Sequence, residues 1–160
     1  MRRTDREINS FEEIVDVLRR ANTIRLGLKA EPYPYVVPLS FGLEAGDGKI
    51  CLYFHGASEG FKHELIAKNP LVCAEADIFH AYEETPNGGV TTRYESVIGF
   101  GKAELVSGGE AAKGMDLILA HCGYEGFEYD CTALERTWIY KITLASFSGK
   151  RNLAKGIEST

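Results

Sequence analysis

The sequence is most restrictive in what it lacks. No GxxxxGK[ST] occurs, so there is no P-loop for a nucleoside triphosphate. The four cysteines, at 51, 73, 122 and 131, form no CxxC pair. Cys122 and Cys131 flank a loop rich in Gly, Glu and Tyr beside His121, but a zinc site needs closer, paired spacing, so no metal is expected. Cys51 and Cys73 lie in apolar, strand-like runs and read as small core residues in a reducing compartment. Positive charge is short as well: 18 Lys and Arg stand against 23 Asp and Glu, a net charge of −5. The basic residues are scattered, which argues against a nucleic-acid partner. No apolar run approaches a membrane span, and Met1-Arg2-Arg3 is not followed by an apolar signal-peptide segment. These absences point to a cytoplasmic protein. What is there is ordinary for a soluble fold: 160 residues, 44% hydrophobic and 26% charged, with no repeat and no linker. One domain, residues 1–160, is expected.

The pattern along the chain is strand-rich. A polar lead ends at Ser10, which with Glu13 resembles a capping box for a helix over 11–21, with Phe11, Ile14, Val15 and Leu18 on one face. Thr23–Leu28 alternates as a strand. Tyr35–Leu43 predicts a second strand, with Pro38 marking an edge or bulge. Gly46-Asp47-Gly48 is a hairpin turn into a third strand, Lys49–Phe54. Short turns between these strands predict an antiparallel meander. Leu71–Asp77 and Tyr94–Val106 follow as strands, separated by a polar loop over 78–93 with its tip at Pro86-Asn87-Gly88-Gly89. Gly99 and Gly101 suggest a bend or a place where another backbone or ring comes close. Glu110–Cys122 reads as a helix, 123–134 as irregular, and Thr137–Leu144 as the last strand. Six or more strands with about three helices predict a mainly β (α+β) fold, an antiparallel barrel that removes its exposed edges.

The stretch richest in chemistry is Leu52–Pro70. An apolar strand breaks at His55-Gly56-Ala57-Ser58-Glu59-Gly60, and a short helix follows with Phe61, Leu65 and Ile66 on one side, stopped by Asn69-Pro70. Unpaired first-turn amides and the helix dipole suit an anion. Ser58 can donate a hydroxyl, and Lys62 can supply a full charge. Strand-loop-helix units with a glycine and a lysine are common, so these residues alone leave a phosphate site and a plain structural turn both open.

Five pieces in order carry a family resemblance: the polar lead Met1–Ile8; Pro34–Phe41 with its proline-containing strand; Leu52–Ala57 with Gly60, Lys62 and Asn69-Pro70; Tyr94–Ala103; and Ser148-Gly149-Lys150-Arg151 after the final strand. Together they span nearly the whole chain. The chain resembles the pyridoxamine 5′-phosphate oxidase-like, FMN-binding split-barrel proteins, most closely the branch that includes the nitroimidazole-resistance proteins.

The resemblance implies a split barrel forming a homodimer with FMN at the subunit interface. Phosphate contacts would come from the loop and helix start over His55–Lys62, with His55, Gly56, Ala57, Ser58 and Lys62, and Phe54 beside them would also bind the cofactor. The flavin ring would lie along Val37, Pro38, Leu39 and Ser40, with Ser96 and Val97 near it. The oxidase branch places several arginines and lysines on the phosphate. Here the loop offers only Lys62, with His55, Ser58 and His63 as other polar groups, which argues against pyridoxamine phosphate oxidation. The expected activity is an FMN-dependent oxidoreductase acting on a small electrophile such as a nitroaromatic. The alternative is a non-catalytic flavin or haem binder. His55 is the candidate for chemistry, since an imidazole can shuttle a proton near neutral pH; hydrogen bonding to the phosphate or loop is its other role. His63 reads as a solvated helix residue, His80 and His121 as surface or structural groups, and Trp138 and most tyrosines as core or dimer contacts. Substrate pockets are expected from the loops 78–93 and 123–134.

Overall fold

A computed structural model describes residues 3–130 and 137–153. A short 3-10 turn, Thr4–Arg6, leads into β1 (Glu7–Ile8) and α1 (Phe11–Arg20). Strands β2 (Ile24–Leu28), β3 (Tyr35–Leu39), β4 (Gly42–Gly46) and β5 (Lys49–Ala57) precede α2 (Phe61–Lys68). Then come β6 (Leu71–Glu84), β7 (Val90–Val106), α3 (Gly108–His121) and β8 (Thr137–Asn152). All strand pairs are antiparallel, in the order β3-β2-β6-β7-β8-β5-β4, with β1 added to β8. Among the described residues, no helix is long and apolar enough to cross a membrane.

The topology forces the sheet to curl. Its two edge strands, β3 and β4, are consecutive in the chain and joined only by Ser40 and Phe41. A flat seven-strand path would hold its edges about 30 Å apart at the usual strand spacing, which two residues cannot span. The sheet therefore rolls until its edges meet, and the barrel is split between β3 and β4. Phe41 is fully buried at that seam, with its ring 4.2 Å from the imidazole of His121. The main core fills the roll: Ile14, Val15, Val17 and Leu18 of α1 pack with the inward positions of the strands. A second core, Tyr53, Ile118 and Ile139, seats α3 on the opposite face of β5 and β8.

The expected mainly β split barrel is the observed fold, and the first helix begins where its cap predicts. Ser10 Oγ accepts from the Glu13 amide at 3.3 Å. The box is only half made, because the Glu13 carboxylate pairs with Arg151 instead. Pro38 lies on an edge strand, as a residue without an N–H should.

Other expectations need correction. The meander is absent: β3 and β4 lie at opposite ends of the sheet path, because the chain turns at Ser40-Phe41 and Tyr35–Leu43 is two strands rather than one. Strand β5 continues through His55-Gly56-Ala57, each residue paired with β8, so the break comes at Ser58. The region 78–93 is mostly a long hairpin whose polar residues sit on exposed strand faces; only its tip is a loop. Ser148-Gly149-Lys150-Arg151 lies inside β8, which is carried past 144 by a bulge opposite Phe100/Gly101. Gly99 and Gly101 do allow a close approach, but by β8 itself: a Cβ on Gly101 would sit 2.2 Å from the Thr143 carbonyl oxygen. Cys51 and Cys73 are half-buried rather than core. Cys131 and the end of the 123–134 segment lie outside the described residues.

Gly42 makes the seam testable. A Cβ there would lie 2.6 Å from the Ile118 nitrogen of α3, whereas one on Gly46 would meet nothing within 4 Å. Gly42→Ala should cost about 1–3 kcal/mol by forcing α3 off the barrel, and Gly46→Ala well under half of that, read by chemical denaturation. Equal losses would mean that α3 does not constrain the seam.

Candidate functional site

The end of β5 and the start of α2 form a cationic cluster over aromatic rings. Strand alternation puts Phe54 and Gly56 on one face of β5 and His55 on the other. Gly56 pairs with Trp138 and Phe54 with Tyr140 on β8. The Phe54 and Tyr140 rings stack, with centroids 5.1 Å apart and planes 7° from parallel. Two groups fold back from the first turn of α2 onto this floor. Lys62 Nζ stands 5.2 Å from the Phe54 ring centroid. The His63 ring stacks on Tyr140, meets Trp138 edge-on, and places Nδ1 3.1 Å from the Tyr140 hydroxyl.

Gly56 is what lets them converge. A Cβ at that position would be 2.9 Å from Lys62 Nζ and 3.1 Å from His63 Nε2. The cluster carries no compensating charge: among the described residues, no carboxylate forms an ion pair with Lys62, His55 or His63. Burial pushes the Lys62 ammonium below the ordinary lysine value. Burial, then the Lys62 charge, depresses both His55 and His63; the backbone of Ala57 opposes the effect at His63. An ammonium and an imidazole converging without a counter-ion, beside amide groups at a helix start, can hold an anion.

The expectation for His63 is therefore wrong. It is 6% exposed and part of the cluster, because α2 turns this face inward against β8. His55, by contrast, is exposed on the other face and its side chain makes no hydrogen bond among the described residues, although it feels the Lys62 charge. Phe54 is a fully buried floor residue, and Ala57 and Ser58 are exposed at the rim.

The remaining candidates lie elsewhere. On β3, Val37 and Leu39 pack against the main core, while Pro38 and Ser40 point outward. Val97 is core, and Ser96 faces out into a surface cavity of about 310 Å³ with Glu7, Ile98, Ser148 and Lys150. Gly56 pairs with Trp138 and Ser96 with Lys150, at the two ends of β8. That separation is about 40 Å of strand, so one chain does not bring Ser96 to Lys62.

Two charged networks escaped the sequence. Glu95 is 2% exposed and accepts from Arg20 at 2.7 and 3.0 Å and from His80 at 3.0 Å, tying α1 to the β6–β7 hairpin. The Tyr53 hydroxyl bonds Glu44 at 2.8 Å and Glu110 at 2.7 Å, and Lys113 and Lys141 neutralise these carboxylates. Polar residues brought together from distant segments leave no local spacing to read; only a glutamate alternating with Val97 on an inward face hinted at the first.

The family model described as pyridoxamine 5′-phosphate oxidase matches residues 10–151. No curated protein matches the chain in sequence. Among solved structures, a candidate 5-nitroimidazole antibiotic resistance protein from Bacteroides thetaiotaomicron is 27% identical, with a TM-score of 0.79 over 90% of this chain and 85% of that one. The flavocytochrome Anf3 from Azotobacter vinelandii is 17% identical with a TM-score of 0.75, covering 99% of this chain and 75% of its own. A FAD- and haem-binding protein from Mycobacterium smegmatis is 18% identical with a TM-score of 0.73, covering 97% and 76%. At those identities the last two support the fold alone.

The depressed histidines give a pH signature. Below about pH 6.5 the unfolded chain takes up protons that folded His55 and His63 resist. Their contribution to stability is complete above that value and is lost as the pH falls towards their folded values. Thermal unfolding at about pH 7.5 and 5.5 should show a lower Tm at the acid pH. His63→Gln should flatten that dependence; an unchanged slope would place the titration elsewhere.

Proposed function

The chain belongs to the pyridoxamine 5′-phosphate oxidase family, and from that premise we propose that it is an FMN-binding flavoprotein that takes hydride or electrons from a reduced nicotinamide or similar donor and passes them to a small electrophile such as a nitroaromatic. The observation that carries the reading is the Lys62 ammonium, half-buried over Phe54 beside Gly56 with no carboxylate partner among the described residues. It fits the terminal phosphate of FMN. The likeness to a candidate nitroimidazole-resistance protein supports the choice of electrophile.

Each residue then has a physical role. Lys62 and the first-turn amides of α2 bind the phosphate, with Ser58 at the rim as a further donor. Pro38 and Ser40 offer an outward strand surface to the ring. Pro38 lacks an N–H and breaks the donor row there, while Ser40 adds a hydroxyl. When bound, the flavin supplies the electron and hydride transfer. His55, exposed with its pKa held down, can accept a proton at its ring nitrogen near neutral pH.

Two features support a homodimer with the flavin at its interface. The phosphate cluster and Ser96 sit about 40 Å apart along β8, so a ligand touching both needs two chains. The outer face of the sheet also exposes Val36, Leu71, Ile98 and Phe100, at 59, 66, 41 and 55%. An apolar groove of about 810 Å³ runs between Leu71, Cys73 and Phe100. A monomer seldom leaves so continuous an apolar surface bare.

The absorbance spectrum of the purified protein, with the released cofactor identified, tests the reading first. Flavin bands and FMN are expected; a colourless protein that ignores added FMN would overturn it. Lys62→Ala should weaken FMN binding by about 1.5–3 kcal/mol through loss of a charge-assisted contact. An unchanged Kd would remove Lys62 from the site. Dilution that separates the dimer should release the flavin, and flavin retained by a monomer would contradict the interface.

A further inference from the structure

We propose that His63 is a second cationic group of the anion site: an anion bound at Lys62 is taken up together with a proton on the His63 imidazole. The inference rests on the phosphate role of Lys62 and extends it to a residue whose side chain is buried and which the helix pattern alone would leave in solvent.

The geometry carries it. Lys62 Nζ and His63 Nε2 lie 2.9 and 3.1 Å from one point, the missing Cβ of Gly56. Both nitrogens therefore border the same small space. A neutral imidazole is tolerated there while the space holds no counter-ion, since an unpaired second cation beside Lys62 would be repelled in a partly dehydrated pocket. An anion reverses that balance, because it attracts both groups and replaces the missing carboxylate. The groups that face His63 are Lys62 from its own helix, Tyr140 from β8 and the Ala57 backbone of β5, which favours the charged ring, with His55 of β5 close enough to feel Lys62; no acidic side chain pairs with any of them among the described residues.

Tyr140 makes the proton change inexpensive. Its hydroxyl is both donor and acceptor. With His63 neutral at Nδ1, the hydroxyl donates to the ring. With His63 protonated, Nδ1–H donates to the hydroxyl oxygen. The 3.1 Å contact serves either state without moving the ring, which Trp138 also holds from the side. The burial that keeps both Lys62 and His63 low in pKa supports the same conclusion. The consequence for ligand choice is a preference for a dianion, which can satisfy two cations, over a singly charged or neutral headgroup.

Two probes test this with the whole protein. Sulfate is a dianion throughout the range used, and FMN is one above about pH 7. Binding of each is measured by calorimetry in two buffers of different ionisation enthalpy. In the wild-type protein both should bind with net proton uptake. Each Kd should rise with pH by up to about tenfold per unit above neutrality. His63→Gln should bind each about tenfold more weakly near neutral pH, with a flat profile and no uptake. Ring-nitrogen NMR of the wild-type protein reports the same event without a variant: His63 should pass from a neutral to an imidazolium pattern when sulfate is added. Sulfate-linked uptake at His63 without FMN binding would leave this inference standing and remove the flavin reading. FMN bound with equal, pH-independent affinity by both proteins, with His63 still neutral, would overturn the inference and leave the flavin reading intact. A chain that binds neither probe overturns both.

Discussion

Ser40 and Phe41 are the constraint on which the rest of the structure depends. They connect the two edge strands of the sheet, and no other short path joins those edges. Because the link is so short, the strands must close on themselves, and the side chains that point inward become a core rather than one face of an open sheet. The seam then has to be sealed. Phe41 fills it, His121 lies against the Phe41 ring and donates from Nε2 to the Ala21 carbonyl oxygen at 2.8 Å, and Gly42 lets the backbone of α3 come close. A larger residue at 42 or a smaller one at 41 would open the roll at the point where it has no hydrogen-bonded ladder to hold it.

Closure also fixes where the anion cluster sits. Strand β5 is held between β8 and β4, so its last residues, His55-Gly56-Ala57, stay in register with β8 beyond the point where apolar sequence ends. The chain leaves the ladder only at Ser58, and Gly60, at φ 126°, turns it into α2. That turn lays the first helical residues back over the strand they came from. Lys62 and His63 thus reach Gly56 because the strand runs on and the helix reverses, and the aromatic pair Phe54–Tyr140 gives them an apolar floor.

The sequence declares what is local. The capped first helix, the helix ended by Asn69-Pro70, the Gly46-Asp47-Gly48 turn and the edge position of Pro38 all rest on signals within a few residues, and they hold in the structure. Lys62 was legible for the same reason, as a cation in a helix's first turn. What failed was non-local. Polar, glycine-containing stretches such as 78–93 read as loops because exposed strand faces are polar too; their pairing with a distant partner makes them strands. His63 carried no sign of burial, since nothing near it in sequence says that β8 will cover that side of the helix. Glu95 and Tyr53 draw partners from segments far along the chain, so neither network had a spacing to find.

The contrast between those two networks and the cluster at Gly56 is the strongest physical argument for where a ligand belongs. Elsewhere this chain neutralises charge before burying it. Glu95 is met by Arg20 and His80, and the two carboxylates around Tyr53 are met by two lysines. Among the described residues, no buried side-chain nitrogen or oxygen lacks a hydrogen-bond partner. Lys62 departs from that practice: burial lowers its pKa, no carboxylate pairs with it among the described residues, and its ammonium stands over the face of the Phe54 ring. A cation–π contact is worth about 0.5–2 kcal/mol, a small return for partly burying a charge. Placing a second titratable group against it raises the cost further. An anion bound there would supply the negative charge that, among the described residues, no side chain supplies to Lys62.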